Sequence, residues 1–191
     1  MSTIQKRRSI RKYKPDPIPR IDLNFILEAA RLAPSCGNQQ CWKFIVVTNE
    51  SLKRIIGKIC RLNWLPQAPA IIVCCADPSK SGVKGDQELY MVDVGISLEH
   101  LILAATSLGL GTCWVGMFNE KHLKQALHVP KNIRVVALTP LGYPNEKPRP
   151  TTRKSLDEMS CKNYYQPKDD KTSLHLRYRI IRILSFMRSI L

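Results

Sequence analysis

The chain has 191 residues, 44% hydrophobic and 24% charged, a composition in the globular range that excludes a disordered chain. Its longest apolar run falls far short of the ~18 residues a bilayer-spanning helix needs, and the charged N-terminus has no apolar stretch behind it, so no secretory signal is predicted. Thirty basic against 15 acidic residues leave a formal charge of +15, a field that attracts anions without naming one.

In chain order, residues 1–20 hold seven basic side chains against Asp16 alone. Arg7, Arg8, Ser9 and Arg11 put three guanidiniums and a hydroxyl within five residues. Those donors suffice to hold a phosphate dianion by bidentate, charge-assisted hydrogen bonds. A solvated arm, or an arm on nucleic-acid phosphates, fits the same residues. Leu23, Ile26, Leu27, Ala30 and Leu32 recur at helical spacing, which predicts a helix over 21–32 ended by Pro34. A short polar loop, Pro34-Ser35-Cys36-Gly37-Asn38-Gln39-Gln40-Cys41-Trp42, then runs into a β-branched strand over 43–48.

A helix follows over Glu50–Cys60, and Ala70–Ala76 reads as a central strand buried on both faces. Residues 77–85 form a loop. Residues 90–108 form a helix apolar on most sides, suited to a core or a subunit interface, and Gly109 and Gly111 end it. A short strand over 112–115, a surface helix over 120–127 and a last core strand over 134–141 complete the predicted core. A Pro-rich stretch over 147–150 leads to Leu156–Met159, which starts a short helix or turn. Strands interspersed with helices, without a regular βαβ rhythm, predict an α+β fold.

Seven cysteines, an odd number with no CxxC pair, predict free thiols in a reducing cytosol rather than a disulfide framework or a zinc site. Gly109-x-Gly111 lacks the third glycine and the preceding strand of a dinucleotide fingerprint. No nucleophilic triad, carboxylate pair or metal cluster is expected. Read on their own, residues 34–42 are a helix C-terminal turn with Gly37 or Asn38 left-handed. Residues 109–116 are likewise a helix cap and a core strand, and Arg153 a surface charge.

Taken together, Arg7-Arg8-Ser9-Ile10-Arg11, the 34–42 loop and Gly109-Leu110-Gly111-Thr112-Cys113-Trp114-Val115-Gly116 resemble the three signature segments of the nitroreductase family. With Arg153, the resemblance runs from residue 7 to residue 153. It implies a central mixed or antiparallel sheet flanked by helices, in a homodimer with FMN at the interface. It also implies NAD(P)H as electron donor and a small-molecule acceptor such as a nitroaromatic or quinone. On that pattern Arg7, Ser9 and Arg11 hold the phosphate and ribityl end, with Arg8 near the pyrimidine edge. Pro34, Ser35, Cys36 and Asn38 reach the flavin bound mainly by the other subunit, Val115 and Gly116 lay their amides near N5, and Arg153 closes the phosphate site. Cys41 stands where the family usually has proline, a change expected to loosen the turn. No catalytic side chain is required, because the cofactor carries the chemistry.

The domain is expected to span 1–165, with 166–191 a basic extension. Over 174–191 one broad apolar face opposes arginines, a pattern that suits docking on a partner subunit or contact with an anionic membrane surface through 172–191. Two other functions fit parts of the sequence. One is a non-catalytic flavin or anion binder. The other is a basic nucleic-acid-binding protein, which lacks the interleaved aromatic and basic residues that stack bases, so no nucleic-acid partner is expected. The overall expectation is a cytoplasmic, homodimeric, FMN-dependent oxidoreductase.

Overall fold

Every residue of Ala70–Ala76 is buried, as its unbroken apolar run requires. In the computed structural model, which describes residues 2–166, six strands form in chain order: Trp42–Val47 (β1), Ala70–Ala76 (β2), Val83–Lys84 (β3), Gln87–Glu88 (β4), Gly111–Thr112 (β5) and Arg134–Gly142 (β6). Four of them make one sheet in the order β1-β2-β6-β5, antiparallel at each step, and β3 pairs β4 as a small hairpin. This is the α+β fold that the sequence pattern predicts, with a sheet of the mixed or antiparallel kind that the family resemblance implies. The hairpin, inside or beside the predicted loop, has no sequence period long enough to announce it.

β2 separates two cores by simple alternation. Ala70, Ile72, Cys74 and Ala76 face a core shared with Arg20–Arg31 (α2) and Tyr90–Ser107 (α4). Ile71, Val73 and Cys75 face the other, shared with Glu50–Cys60 (α3) and Glu120–Ala126 (α5). Asn49 and Asn119 cap α3 and α5, accepting the N–H groups of Leu52 and His122, which satisfies donors that a helix start leaves unpaired. All seven cysteines are free thiols, five of them buried, as small apolar residues in a core.

Two helices keep apolar surface for something other than their own core. α2 buries Ile26 and Ala30, while Ile21, Phe25 and the following Leu32 are exposed. These three recur at helical spacing on a second stripe, so Leu32 does not join the core as expected. α4 buries Val94, Leu98, Leu101 and Ala105 and exposes Met91 and Val92. Its Gly95 has nothing within 4 Å of where a Cβ would stand, so the chain's own packing gives no reason for a glycine in mid-helix.

The predicted strand over 112–115 is interrupted. Only Gly111–Thr112 pairs continuously with β6, and Val115 rejoins it at Leu138. The step between falls opposite Pro140, which has no N–H to donate, and the Cys113 N–H turns to the Thr139 hydroxyl at 3.1 Å. The N-terminus also departs from a bare arm, since Ser2–Lys6 form a short helix (α1) with no buried residue.

The chain divides into two compact units, Met1–Arg149 and Pro150–Leu191. In the described part of the second, Leu156–Met159 (α6) opens with a capping box in which Ser155 and Glu158 bond each other's backbone N–H. The amphipathic segment expected over 174–191 lies outside the described residues.

Candidate functional site

The basic segment is fixed in place as an added strand beyond β5. Ser9 bridges Thr112 in parallel, and the Ile10 N–H donates to the Thr112 C=O at 2.8 Å. From the other side the Lys14 N–H donates to the Tyr143 C=O and the Asn145 N–H to the Lys12 C=O, both at 2.9 Å. The Glu146 carboxylate accepts the N–H groups of Arg11 and Lys12, and Tyr13 donates its hydroxyl to the Ile10 C=O. Ile10 and Tyr13 are buried. A solvated tail would make none of these contacts.

Successive side chains of an extended segment alternate between faces, and this sorts the four candidates. Arg7, Ser9 and Arg11 share the face toward Cys113. Burial pushes that thiol up, while Arg11, the Ser9 hydroxyl and Arg7 act against the shift. Arg8 and Ile10 instead line a cavity of about 270 Å³ with Gly109 and Gly111. The Arg8 guanidinium donates to the carbonyls of Gln5 and Arg7, at 2.6 and 2.7 Å. Among the described residues no carboxylate pairs with Arg7 or Arg11. Two guanidiniums and a hydroxyl thus share one face and form no salt bridge among the described residues. The Glu146 carboxylate is taken up by backbone N–H groups, and Glu99 acts on Arg7 only at longer range. Their donors are the set a phosphate needs.

The Pro34–Trp42 loop is tightly wound, with Gly37, Asn38 and Gln40 all left-handed at φ values of 54°, 56° and 49°. Both residues expected to take that conformation do so. The Ser35 hydroxyl accepts the Gln40 N–H at 2.9 Å. Left-handed backbone at Gln40 is costly and persists only where the surroundings dictate it. Gln40 is held there by Ser35 and by its side-chain amide donating to Asn38. The loop is anchored on either side by Asp93, buried on α4, whose carboxylate accepts the Cys36 N–H at 2.9 Å, the Ser81 hydroxyl at 2.8 Å and the Cys41 thiol at 3.6 Å. Cys41 therefore does not loosen the turn. It is 4% exposed, its carbonyl accepts the Asp77 N–H, and burial together with the Asp93 charge pushes its thiol up to about 11.

The loop leads into β1 at one edge of the sheet, and the basic segment lies outside β5 at the other. Four strand spacings separate them, about 19 Å. One chain therefore does not bring Pro34, Ser35, Cys36 and Asn38 together with Arg7, Ser9 and Arg11.

In the third segment Val115 is 6% exposed, and it exchanges both backbone hydrogen bonds with Leu138 at 2.9 Å. Its amide is committed to the sheet. Gly116 is exposed, and its N–H makes no hydrogen bond among the described residues. A Cβ there would meet only the Trp114 ring edge, no closer than 3.6 Å, so chain packing does not demand the glycine. It opens on a cavity of about 230 Å³ with Tyr90, Phe118, Glu120 and Arg134. Arg134 pairs with Glu120 at 2.9 Å, and that hydrogen bond holds the carboxyl below its usual range.

Arg153 belongs to the second unit, where it is exposed and its guanidinium donates to Thr151 and the Thr152 carbonyl. Two residues that shape the site escaped the sequence reading. Asp93 sits on the buried, mostly apolar stripe of α4, and a carboxylate in that phase is itself a signal. Glu146, beside Pro144, carried none.

The fold is that of an α+β protein with a basic segment added as an edge strand beside an antiparallel sheet, and the comparisons place it. The model of the nitroreductase family matches residues 4–68 and 58–143. A candidate NADH dehydrogenase/NAD(P)H nitroreductase of Archaeoglobus fulgidus is 40% identical over 152 residues, covering 77% of this chain and 86% of its own. The crystal structure of a nitroreductase family protein from Clostridium novyi NT shares 41% identity at a TM-score of 0.73, covering 76% of this chain and 84% of that one. An FMN-dependent nitroreductase from Clostridium difficile R20291 shares 30% identity at a TM-score of 0.75, covering 85% and 98%. The chain belongs to the nitroreductase family.

Proposed function

We propose that the protein is an FMN-dependent NAD(P)H oxidoreductase acting as a homodimer. The observation that carries this is the seated edge strand with Arg7, Ser9 and Arg11 on one face and no salt bridge to either guanidinium among the described residues. Arg7 and Arg11 would bind the flavin phosphate through charge-assisted hydrogen bonds, Ser9 would add a neutral donor, and the exposed Gly116 amide would orient the ring edge. Arg8, on the opposite face, would act from outside that set, and Val115 would support the ring through its packing. The relatives' printed names, one FMN-dependent and one an NAD(P)H nitroreductase, support the same reading. When bound, FMN supplies two-electron transfer between a nicotinamide donor and an acceptor such as a nitroaromatic or quinone, which would enter one cleft in turn.

The dimer follows from the separation of the two segments. A second chain would bring its own Pro34, Ser35, Cys36 and Asn38 to the edge strand, where the strained loop would present short polar donors and acceptors to the flavin edge. Exposed Ile21, Phe25, Met91 and Val92 and the bare Gly95 offer the apolar, closely approachable surface such a contact requires. The free thiols fit a cytoplasmic enzyme.

An absorbance spectrum of the purified protein tests the reading. Flavin bands that bleach on anaerobic addition of NADPH are expected; a colourless protein that takes up no FMN sinks it, and bands that never bleach leave a binder without turnover. Arg11→Ala is expected to weaken FMN retention by about 1.5–3 kcal/mol. Arg153→Ala tests the residue assigned by resemblance. If neither alters FMN affinity in a fluorescence titration, the phosphate lies elsewhere.

A further inference from the structure

On the α5 side of the sheet, two cavities of about 700 and 480 Å³ meet along residues 128–130. Both volumes fall in the range of small-molecule sites. Neither is lined by any of the candidate flavin residues.

Lys121, Lys124 and Lys131 line the first cavity, Lys43 and Lys80 the second. Two acidic residues face the groove, and both are already engaged. Glu120 accepts from Arg134 and the Val135 N–H, and Asp77 accepts from the Ser79 N–H and hydroxyl. Lys124 is turned onto the Lys131 carbonyl at 2.7 Å. Among the described residues, Lys43, Lys80, Lys121 and Lys131 pair with no carboxylate. Asp77 acts on Lys80 at longer range, but the lysines outnumber the two carboxylates around one concave surface, a positive well that focuses on anions.

The floor between them is apolar, from Trp42, Ile45, Val129 and Ile133. His128 stands on the shared rim with φ at 52°, at the end of α5 where glycine is usual. Its strained backbone sets an imidazole between the two groups of lysines.

We propose that this groove binds a nucleotide carrying two or more phosphate groups. The heterocycle lies on the apolar floor, and the phosphates meet the unpaired lysines. Concave cavities of this size suit a small ligand rather than a nucleic-acid duplex. Two sources share this chemistry: the adenosine phosphate portion of the nicotinamide donor, or a separate nucleotide effector.

The test is calorimetric titration of the protein as purified, at low salt, with adenosine 2′,5′-bisphosphate and with ATP as probes. Lys43→Ala/Lys80→Ala and Lys121→Ala/Lys131→Ala are compared with the wild type. Binding of at least one probe is expected, weakened about tenfold in each double variant, with flavin content and melting temperature unchanged. Competition by NADPH assigns the groove to the donor's tail, and binding that persists under saturating NADPH assigns it to an effector. No binding of either probe overturns the proposal, as does binding that both double variants retain in full, or binding confined to an oligonucleotide. Because flavin content is read separately, failure of the groove and failure of the flavin assignment are distinguishable.

Discussion

Gly111→Val is expected to reduce FMN retention at least about tenfold while costing about 1–3 kcal/mol of stability. A Cβ on Gly111 would stand 2.7 Å from Ile10 Cγ1, 2.9 Å from Cβ and 3.0 Å from Cγ2. Those are closer than packed carbons approach, and valine adds two more methyl groups. Ile10 is buried and cannot swing into solvent without releasing its hydrogen bond to Thr112. The edge strand must shift as a unit, taking Ser9 and Arg11 with it. Equilibrium flavin titration and thermal melting together check this. Ile10→Ala in the same chain should restore part of the lost affinity, since it removes the two Cγ contacts and leaves only that of Cβ at 2.9 Å. A Gly111→Val protein that keeps its FMN would show that the edge strand does not hold the flavin.

Asp93→Ala is expected to be the more damaging to the fold, at about 3 kcal/mol. It removes the single acceptor for three donors, and each buried donor left unsatisfied costs about 1–3 kcal/mol, relieved where water enters. Asp93→Asn should be milder, since its carbonyl oxygen can still accept the Cys36 N–H. Chemical denaturation gives the ranking. Alkylation of Cys41 supplies a second readout. Burial and the Asp93 charge both hold that thiol high, so removing the charge favours the thiolate and should speed reaction at mildly alkaline pH, where the protein is folded. Equal alkylation rates in wild type and Asp93→Asn would remove Asp93 as the residue that positions this loop.

The central strands were legible because their signal is composition itself. The apolar run Ala70–Ala76 has one physical solution, and Glu50–Cys60 and Leu156–Met159 form with the predicted limits. What escaped depended on partners far away in sequence. The break in the 112–115 strand comes from Pro140, which faces it only once β6 is in place. The exposure of Leu32 follows from a second apolar stripe on α2 that periodicity reads as core. The site was legible as three short segments, and alternation along the edge strand then separated Arg8 from Arg7, Ser9 and Arg11. Asp93 was missed because one carboxylate among mostly apolar buried positions does little to the pattern, although its position on the buried stripe fixes its role.

The edge strand has a temporal consequence during synthesis. Ser9 and Ile10 leave the ribosome roughly a hundred residues before their partner Thr112, which is itself held by β6. At bacterial-like elongation rates the segment waits on the order of ten seconds before its seat exists. The arginine-bearing segment is thus made well before the strands that seat it. A nascent chain stopped short of residue 142 has α2, α3 and β2 in full but no completed edge on which the arginines can be aligned.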